Sequence, residues 1–464
     1  MAGILDTLFR MRYGSLMKKF EGIPGPTPIF PIGNMSEFAT RNPWEVFVDY
    51  EKQYGGMTLC WLGGEPTLVL NDPNLIREVL ITKADDYYKD YPIKALRPVL
   101  RNTVFNLNSP EWDKLRKPHS HPCLIEGLDS WLESQFPVVK SVVDRHLSRM
   151  LETAGEIEIL DKIQRLFFDA FNSIVCGPKF QAGGYENYYK MTVVATRRMA
   201  TPQALLIPPL DPAFHSAMSA HYGSYDKVVK EARQNPDPAA NDLLSIFLRQ
   251  GSEIPDEQLV DFLSEFHVGG DVSSAAGIVN TFQLLNQNPE IEKKLYSELA
   301  EMRRRNPDYD LSSIGESTLL DHVLRESLRL NPPVQVFGRN VRKDKTTTLG
   351  GRELPPNTAV MIVAKAVQRS ANHWKNPDQF DTDRWANGGV EANPIGSDYF
   401  FPFGRGPRMC VGWKIAMFSM KIVLASMLSK VYVKTSGSFK QTLHCGVVET
   451  KEVKVKLVPH LATP

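Results

Sequence analysis

The stretch Phe400-Phe401-Pro402-Phe403-Gly404-Arg405-Gly406-Pro407-Arg408-Met409-Cys410-Val411-Gly412 carries the most information in this chain. Its glycines and prolines predict a tight loop, because glycine tolerates backbone angles that other residues avoid and proline fixes one angle. The apolar residues 411–428 follow, and their pattern is typical of a buried helix. The stretch therefore places one cysteine, Cys410, at the start of a buried helix.

A thiol at the start of a helix lies near unsatisfied backbone N–H groups and the positive end of the helix dipole, and both favour the thiolate. A thiolate on a glycine-rich loop suits the axial position of a haem iron, and the cation of Arg408, two residues earlier, suits a haem propionate. The common alternative for a lone cysteine is an inert buried thiol.

Six positions match the haem-binding signature F-G-x-G-x-R-x-C-x-G of the cytochrome P450 family: Phe403, Gly404, Gly406, Arg408, Cys410 and Gly412. The chain thereby resembles that family, and such a long signature is far more specific than most short motifs. The resemblance implies a cytochrome P450 fold, mainly α with a smaller β-rich part (α+β), with haem b between a long interior helix and the cysteine loop. It makes Cys410 the iron ligand and places Phe403 and Gly404 in the cofactor-binding loop.

A second motif, Glu326-Ser327-Leu328-Arg329, matches the E-x-x-R of the family. Its two charged residues share one helical face, which by itself is weak evidence because such pairs are common on helix surfaces. By resemblance, Glu326, Arg329 and Arg384 form a buried ionic triad that holds the cysteine loop and does no chemistry.

The haem propionates need donors, and the resemblance implies several. Trp112 and Arg116 match W-x-x-x-R, and Arg339 stands where the family has a further arginine after the E-x-x-R helix. Arg116, Arg339 and Arg408 together with Arg342 are more cations than two propionates need. Arg342 fits least.

The rest of the sequence indicates one long domain. Residues 1–22 form an amphipathic or frayed segment, and residues 23–464 form a single catalytic domain. Apolar periodicity predicts helices and alternation predicts strands. The predicted helices cover residues 255–286, 289–305, 319–330 and 411–428, and the predicted strands lie in 57–71, 358–363 and 452–458.

The long interior helix departs from the family pattern A/G-G-x-D/E-T. It reads Val268-Gly269-Gly270-Asp271-Val272-Ser273, so Gly269 and Asp271 match while Val272 stands in place of threonine. Valine has nearly the threonine shape but no hydroxyl to donate a proton. The glycine pair is either a helix-packing notch or a place where haem and oxygen approach the backbone.

Three functions remain open. In the first, the protein is a haem-thiolate monooxygenase that inserts one atom of O2 into a small organic substrate, with protons from Ser273, a substrate hydroxyl or water relayed from Asp271. In the second, it is an atypical, non-oxygenating member that rearranges a hydroperoxide, dehydrates a substrate or couples phenols oxidatively. In the third, it is a binding or sensing haem protein.

The expected substrate is an apolar or amphipathic small molecule, because the residues expected above the haem are mostly apolar. These expected lining residues are Val268, Val272 and the stretches 334–337, 90–107 and 445–448.

Composition excludes several other classes. The 54 basic and 53 acidic residues leave a formal charge of +1, which argues against a nucleic-acid binder. The 5 cysteines include no C-x-x-C pair, so neither a zinc module nor a disulfide framework is indicated. We expect a reducing compartment in which every cysteine except Cys410 is inert.

Electrons must come from a separate protein, since the chain has no flavin or nicotinamide fingerprint. We expect a ferredoxin or flavodoxin with its reductase, or a reductase alone, acting on a monomer. Four basic residues near the cysteine predict a docking patch, and scattered solvated side chains are the alternative: Lys114, Lys117, Arg405 and Lys414.

The chain has no apolar run of the length that spans a bilayer. Residues 1–22 mix apolar and basic side chains, so they either pack on the body or lie on a membrane surface. We expect a cytoplasmic protein, attached to a membrane peripherally if at all, whose native anchor is absent or removed.

Overall fold

The computed structural model describes residues 2–38, 41–89, 96–117, 121–177, 184–200, 212–250, 253–444 and 446–460. The α-helices are α1 (Ala2–Lys18), α2 (Pro43–Tyr54), α3 (Pro73–Arg77), α4 (Arg97–Leu100), α5 (Glu111–Leu115), α6 (Leu128–Leu151), α7 (Ile159–Val175), α8 (Tyr185–Ala200), α9 (Pro212–Gln234), α10 (Leu243–Arg249), α11 (Asp256–Gln287), α12 (Pro289–Arg305), α13 (Leu311–Gly315), α14 (Thr318–Leu330), α15 (Ala364–Gln368), α16 (Gly389–Ala392) and α17 (Trp413–Leu428). The strands are β1 (Met57–Leu62), β2 (Glu65–Leu70), β3 (Tyr87–Tyr88), β4 (Ile157–Glu158), β5 (Val336–Val341), β6 (Thr347–Leu349), β7 (Arg352–Leu354), β8 (Ala359–Val363), β9 (Val431–His444) and β10 (Val447–Pro459).

Contacts divide the chain into two compact units. The β unit comprises Met1–Lys94, Val334–Gln379 and Gly388–Cys410. The helical unit comprises Ala95–Pro333, Phe380–Asn387 and Val411–Pro464. The prediction of a single catalytic domain over residues 23–464 stays a prediction.

The β unit is built on a five-stranded sheet of order β1-β2-β8-β5-β3. Strands β1 and β2 form the predicted antiparallel hairpin, and β2 pairs in parallel with β8. Alternate residues point to opposite faces, as a strand requires. One face packs with Phe9 of α1 through side chains such as Trp61 and Ile362, and the other packs with Phe47 of α2.

The helical unit is organised around α11, which has 32 residues. Proline and two acids suit its first turn, and its nearly uncharged second half is buried against α7, α14 and α17. Strands β4, β10 and β9 form a small antiparallel sheet beside it.

The structure confirms most predicted elements and corrects two. Helix α12 has the predicted bounds, and α11 begins and ends one residue later than predicted. The helix predicted from Val411 begins at Trp413, because Gly412 takes a non-helical N-cap conformation. Strand β9 was not predicted, and β10 begins at Val447, before the predicted residue 452.

The N-terminal segment forms helix α1. Phe9 is fully buried, and its ring meets that of Trp61 edge to face at 5.2 Å. Helix α1 therefore packs on the body, which is one of the two interpretations of residues 1–22. No helix among the described residues combines the length and apolarity needed to cross a bilayer.

Candidate active site

Left-handed glycines and backbone hydrogen bonds shape the cysteine loop. Gly404 and Gly406 have φ values of +70° and +71°, which L side chains rarely adopt. A Cβ on Gly406 would lie 2.1 Å from the carbonyl oxygen of Leu80, so only glycine fits there. The amide of Cys410 donates to the carbonyl oxygen of Phe403 at 2.9 Å. The loop thus has one well-defined path that ends at the cysteine.

Cys410 differs from the other described cysteines in its exposure. It is exposed, whereas Cys60, Cys123 and Cys176 are buried. Burial raises the pKa of the Cys60 thiol to about 12, which keeps that thiol protonated and inert. Cys445 lies outside the described residues. An accessible sulfur on a rigid loop is the arrangement that an iron ligand requires.

Arg405 contributes to the loop rather than to a docking patch. It is 4% exposed, and its Nη1 lies 2.6 Å from Oδ1 of Asp398. The prediction that Arg405 belongs to a basic docking patch is wrong, because its charge is buried and neutralised. Lys414 is also paired, with Asp129 at 2.7 Å. The other two members of the predicted patch, Lys114 and Lys117, are exposed.

Arg339 is a buried cation on β5. Its Nη1 donates to the carbonyl oxygen of Gly338 at 2.8 Å, and no carboxylate of the described residues lies within ion-pair distance of its guanidinium. Burial lowers its pKa to about 10. A buried charge without a counter-charge costs free energy, so this site favours an anionic ligand.

The other two arginines proposed as propionate donors on the β unit differ from each other. Arg408 is half-buried in the 3₁₀ turn Gly406–Arg408 that leads to the cysteine. Arg342 makes two hydrogen bonds to Asp344, at 3.0 and 2.8 Å, which raise its pKa. Its charge is therefore satisfied locally, consistent with its being the weakest propionate candidate.

The helical unit holds the remaining donor candidates. Trp112 lies in α5, and Arg116 caps that helix, its amide donating to the carbonyl oxygen of Trp112 at 3.0 Å. Both residues are half-buried. The indole of Trp112 and the guanidinium of Arg116 thus lie one helical turn apart along the chain, and their role as propionate donors stays a prediction.

The donor set of the β unit fits a haem. It offers the exposed sulfur of Cys410, the buried cation of Arg339 without an acidic partner in the described chain, and the half-buried guanidinium of Arg408. A haem iron binds a thiolate, and its propionates bind cations. These residues therefore suit haem b.

Glu326 is the centre of a buried ion-pair cluster in the helical unit. Its carboxylate accepts from Nε and Nη2 of Arg329, both at 2.8 Å, and from Nε of Arg384 at 2.9 Å. The indole N–H of Trp385 and the backbone N–H of Asp381 donate to it at 3.0 Å. The predicted triad is confirmed. Its effect on the cysteine loop stays a prediction.

Helix α11 has one accessible face in its middle. The accessible or half-buried positions recur at spacings of three and four: Phe266, Gly269, Gly270 and Ser273. The hydroxyl of Ser273 donates to the carbonyl oxygen of Gly269 at 2.8 Å. Val272, which stands in place of threonine, is only 2% exposed. Among the side chains of this face, the hydroxyl therefore belongs to Ser273.

The two glycines of α11 serve different purposes. A Cβ on Gly270 would lie 2.8 Å from the ring of Phe171, whereas a Cβ on Gly269 would have no neighbour within 4 Å. Gly270 is a packing notch against α7. Gly269 leaves open backbone on the accessible face. The packing notch is thus present at Gly270, whereas the approach of haem and oxygen to Gly269 stays a prediction.

Asp271 is turned away from the accessible face. Its Oδ1 accepts from the hydroxyl of Tyr188 at 2.6 Å and from the amide of Val272 at 2.8 Å. Oδ2 is buried and has no hydrogen-bond partner among the described residues. Burial raises the pKa of this carboxyl to about 8, so most of it is protonated at neutral pH.

Two acids one turn apart on α11 hold a neighbouring segment. Asp261 accepts from the amide of Asn102 at 3.2 Å, and Glu265 accepts from the amide of Phe105 at 2.9 Å. Arg101 adds an ion pair to Asp261 at 3.1 Å. These contacts fix residues 101–105, which belong to the predicted lining segment 90–107. Residues 90–95 of that segment lie outside the described residues.

Sequence reasoning missed several of these groups. Trp385 follows Arg384 directly, so its place beside Glu326 had a local signal. Tyr188 had none, because it lies 83 residues before its partner Asp271. Contacts of that range depend on how helices pack.

Comparisons with known proteins agree with the site. The sequence model of the cytochrome P450 family matches residues 23–457. A cytokinin hydroxylase of Arabidopsis thaliana is 25% identical over 464 residues, covering 90% of this chain and 88% of that relative. Cytochrome P450 3A5 of Homo sapiens is 24% identical over 466 residues, covering 93% and 89%.

Solved structures agree in fold. The haem domain of cytochrome P450DA superposes with a TM-score of 0.81 at 20% identity, covering 94% of this chain and 98% of that one. The predicted α+β fold is thereby confirmed.

Proposed function

Because this chain belongs to the cytochrome P450 family, we propose that it inserts one oxygen atom from O2 into a small apolar substrate, using electrons from a separate redox protein. In general terms it is a haem-thiolate monooxygenase, an oxidoreductase with haem b as cofactor. The third function, a haem protein that only binds or senses, loses its support because the family consists of enzymes.

The exposed Cys410 is the observation that carries the proposal. Its loop offers one exposed sulfur, and the close approach of Gly406 to the carbonyl oxygen of Leu80 admits only glycine in that loop. A bound haem supplies the activation of oxygen, and a thiolate ligand favours O–O cleavage. Arg339, Arg408, Trp112 and Arg116 bind the propionates in this proposal. The buried guanidinium of Arg339 supports it most directly.

Besides holding the haem, the chain itself must supply protons. We assign it to the hydroxyl of Ser273, because it lies on the accessible face of α11 and is already oriented by the carbonyl of Gly269. Asp271 acts behind it as a largely protonated acid, through water, since its carboxyl faces α8. Val272 contributes shape only.

The placement of Asp271 also favours the second candidate, a non-oxygenating member. Hydroperoxide rearrangement, dehydration and oxidative coupling need no external proton relay. Val272 has no hydroxyl, and the carboxyl of Asp271 is hydrogen-bonded to Tyr188 and to the Val272 amide, so neither side chain offers such a relay directly. Turnover with a hydroperoxide alone, and no electron donor, would identify this chemistry.

The first experiment tests the iron ligand. Reduced protein with carbon monoxide is expected to show the Soret band of a thiolate-ligated haem. Cys410→Ser should lose that band, while Cys123→Ser should keep it because Cys123 is buried. A spectrum typical of histidine ligation in the unaltered protein would reject the assignment.

The second experiment separates the two chemistries. With NAD(P)H, a ferredoxin and its reductase, the monooxygenase is expected to release an oxygenated product, and Ser273→Ala should lower the yield per NAD(P)H by about tenfold. Val272→Thr is the matched control, because residue 272 is buried and its added hydroxyl would lie off the accessible face, so the yield should stay the same. An unchanged yield in Ser273→Ala would place the proton relay elsewhere.

The proposed substrate is a small apolar molecule. A screen of apolar small molecules by the spin-state shift of the Soret band reports pocket occupancy directly.

The proposed electron donor is a separate redox protein. Lys114 and Lys117 remain as exposed cations for an acidic ferredoxin or flavodoxin. We propose that the enzyme acts as a monomer in the cytoplasm or at a membrane surface.

A further inference from the structure

Helix α1 has two opposite apolar faces, and the described residues of the chain cover one of them. On the covered face, Phe9 is fully buried and packs on Trp61, with Tyr13 beside it. Leu16 and Met17 pack against the same core cluster. This face holds the helix on the β unit.

The opposite face carries a row of exposed aliphatic side chains. Ile4 is 67% exposed, Leu8 41% and Met11 78%. Their spacings of four and three residues align them along one side of the helix. Ile32, 40% exposed, lies on a segment joined to α1 by the hydrogen bond from the amide of Phe30 to the carbonyl oxygen of Leu5.

This concentration is unusual within the molecule. The other exposed large hydrophobic side chains of the described residues are spread over distant parts of the sequence: Ile81, Val138, Leu151, Tyr399 and Tyr432. Scattered single residues are normal on a protein surface, whereas a contiguous apolar row indicates a binding surface.

Basic residues flank the row. Arg12 follows Met11 directly, and Lys18, seven residues beyond Met11, continues the same side of the helix. Lys19 comes next, and all three side chains are exposed. In the part of the chain that the structure describes, none of the three pairs with a carboxylate, whereas Arg10 pairs with Asp6 at 3.0 Å. The surface therefore joins an aliphatic row to unneutralised positive charge.

We propose that this face of α1, together with Ile32, lies in the interface of a bilayer that contains anionic lipids. The helix has 17 residues and lies parallel to the surface, with its aliphatic row among the acyl chains and its cations at the lipid phosphates. A lipid surface fits better than a protein partner, because the row lacks the aromatic anchors that dominate protein interfaces.

Sedimentation of the intact protein with vesicles tests this. Vesicles of phosphatidylcholine with about one third phosphatidylglycerol are expected to bind it at least tenfold more strongly than phosphatidylcholine alone, and salt should reduce the difference. The variant Ile4→Ser/Leu8→Ser/Met11→Ser should lose binding at least tenfold. The matched variant Val138→Ser/Leu151→Ser, on α6, should bind like the unaltered protein.

A second variant gives a positive signal. Met11→Trp fluorescence should be quenched by lipids brominated on their acyl chains, whereas Val138→Trp should not be. The proposal fails if the unaltered protein stays in the supernatant with both vesicle types, or if the triple variant binds unchanged. It also fails if the triple variant only abolishes self-association without vesicles, which would assign the face to a second copy. The carbon monoxide spectrum should be the same in all variants, so this result is independent of the proposed function.

Discussion

At Asp271, the surroundings rather than the residue type decide the charge. The carboxyl has hydrogen bonds from Tyr188 and the Val272 amide, but no cation bonds to it in the described chain. Removal from water therefore outweighs both hydrogen bonds and raises its pKa to about 8. A group placed in this way can hold a proton at neutral pH and release it when a base approaches.

The raised pKa predicts that Asp271 makes the stability of the protein depend on pH, and that Asp271→Asn removes this contribution. The pKa is about 4 in the unfolded chain and about 8 in the folded protein, so the folded state binds more protons between these values. The free energy of unfolding should therefore fall as pH rises from about 4 to 8, by up to roughly 1.4 kcal/mol per pH unit, and level off above. Urea unfolding of both proteins at several pH values measures the difference. Equal pH slopes would contradict a raised pKa.

The motif residues and Asp271 show where sequence reasoning succeeds at this scale. The glycines around Cys410 are dictated by local backbone conformation, so the sequence pattern identifies them. The direction of Asp271 depends on the packing of α8 against α11, and the motif indicates only its position. The same limit applies to Gly269 and Gly270, whose different neighbours no pattern distinguishes.

At the scale of elements, helices with clear start and stop residues were predicted best. Helix α12 begins at a proline and ends in three arginines, and both signals suit those ends of a helix. Strand β9 was missed because its residues 434–442 are mostly polar and half-exposed, so alternation is weak. Its pairing with β10 defines it as a strand, and that pairing is tertiary information.

The buried cluster around Glu326 predicts a large loss of stability in Glu326→Gln. The change leaves the buried guanidinium of Arg329 and that of Arg384 without their shared charge, which typically costs 3–5 kcal/mol, so we expect about that loss. Denaturant unfolding followed by haem absorbance measures it. Glu301→Gln is the matched control, because Glu301 pairs with Arg304 at the same spacing on an exposed surface. Losses of equal size in both variants would contradict the role of burial.

The two acids of α11 predict local protection of residues 101–105. Glu265→Ala removes the acceptor of the Phe105 amide. The hydrogen exchange of that amide should therefore accelerate by about tenfold, which corresponds to the free energy of one hydrogen bond to a charged group. Glu265→Gln keeps an acceptor oxygen and should show a smaller effect. Amides of β2 serve as the internal reference. Unchanged exchange at Phe105 in both variants would show that other contacts hold the segment.

At the scale of the whole molecule, the net charge of +1 gives no strong field of either sign. Attraction to an acidic redox protein must therefore come from local charge. Pairing removes Arg405 and Lys414 from the predicted patch, since their partners are Asp398 and Asp129. Lys114 and Lys117 remain exposed, and no described carboxylate pairs with either of them.

Charge reversal at this pair predicts slower reduction by an acidic ferredoxin. At low ionic strength, Lys114→Glu/Lys117→Glu should lower the second-order rate of haem reduction by about tenfold, and added salt should narrow the gap. The matched variant Lys293→Glu/Lys294→Glu changes exposed lysines of α12 and shifts the net charge equally, from +1 to −3 because each reversal subtracts two. Stopped-flow reduction under carbon monoxide measures all three rates. If both double variants slow equally, net charge rather than a local docking surface controls the encounter. If only the first slows, the electron donor docks beside α5.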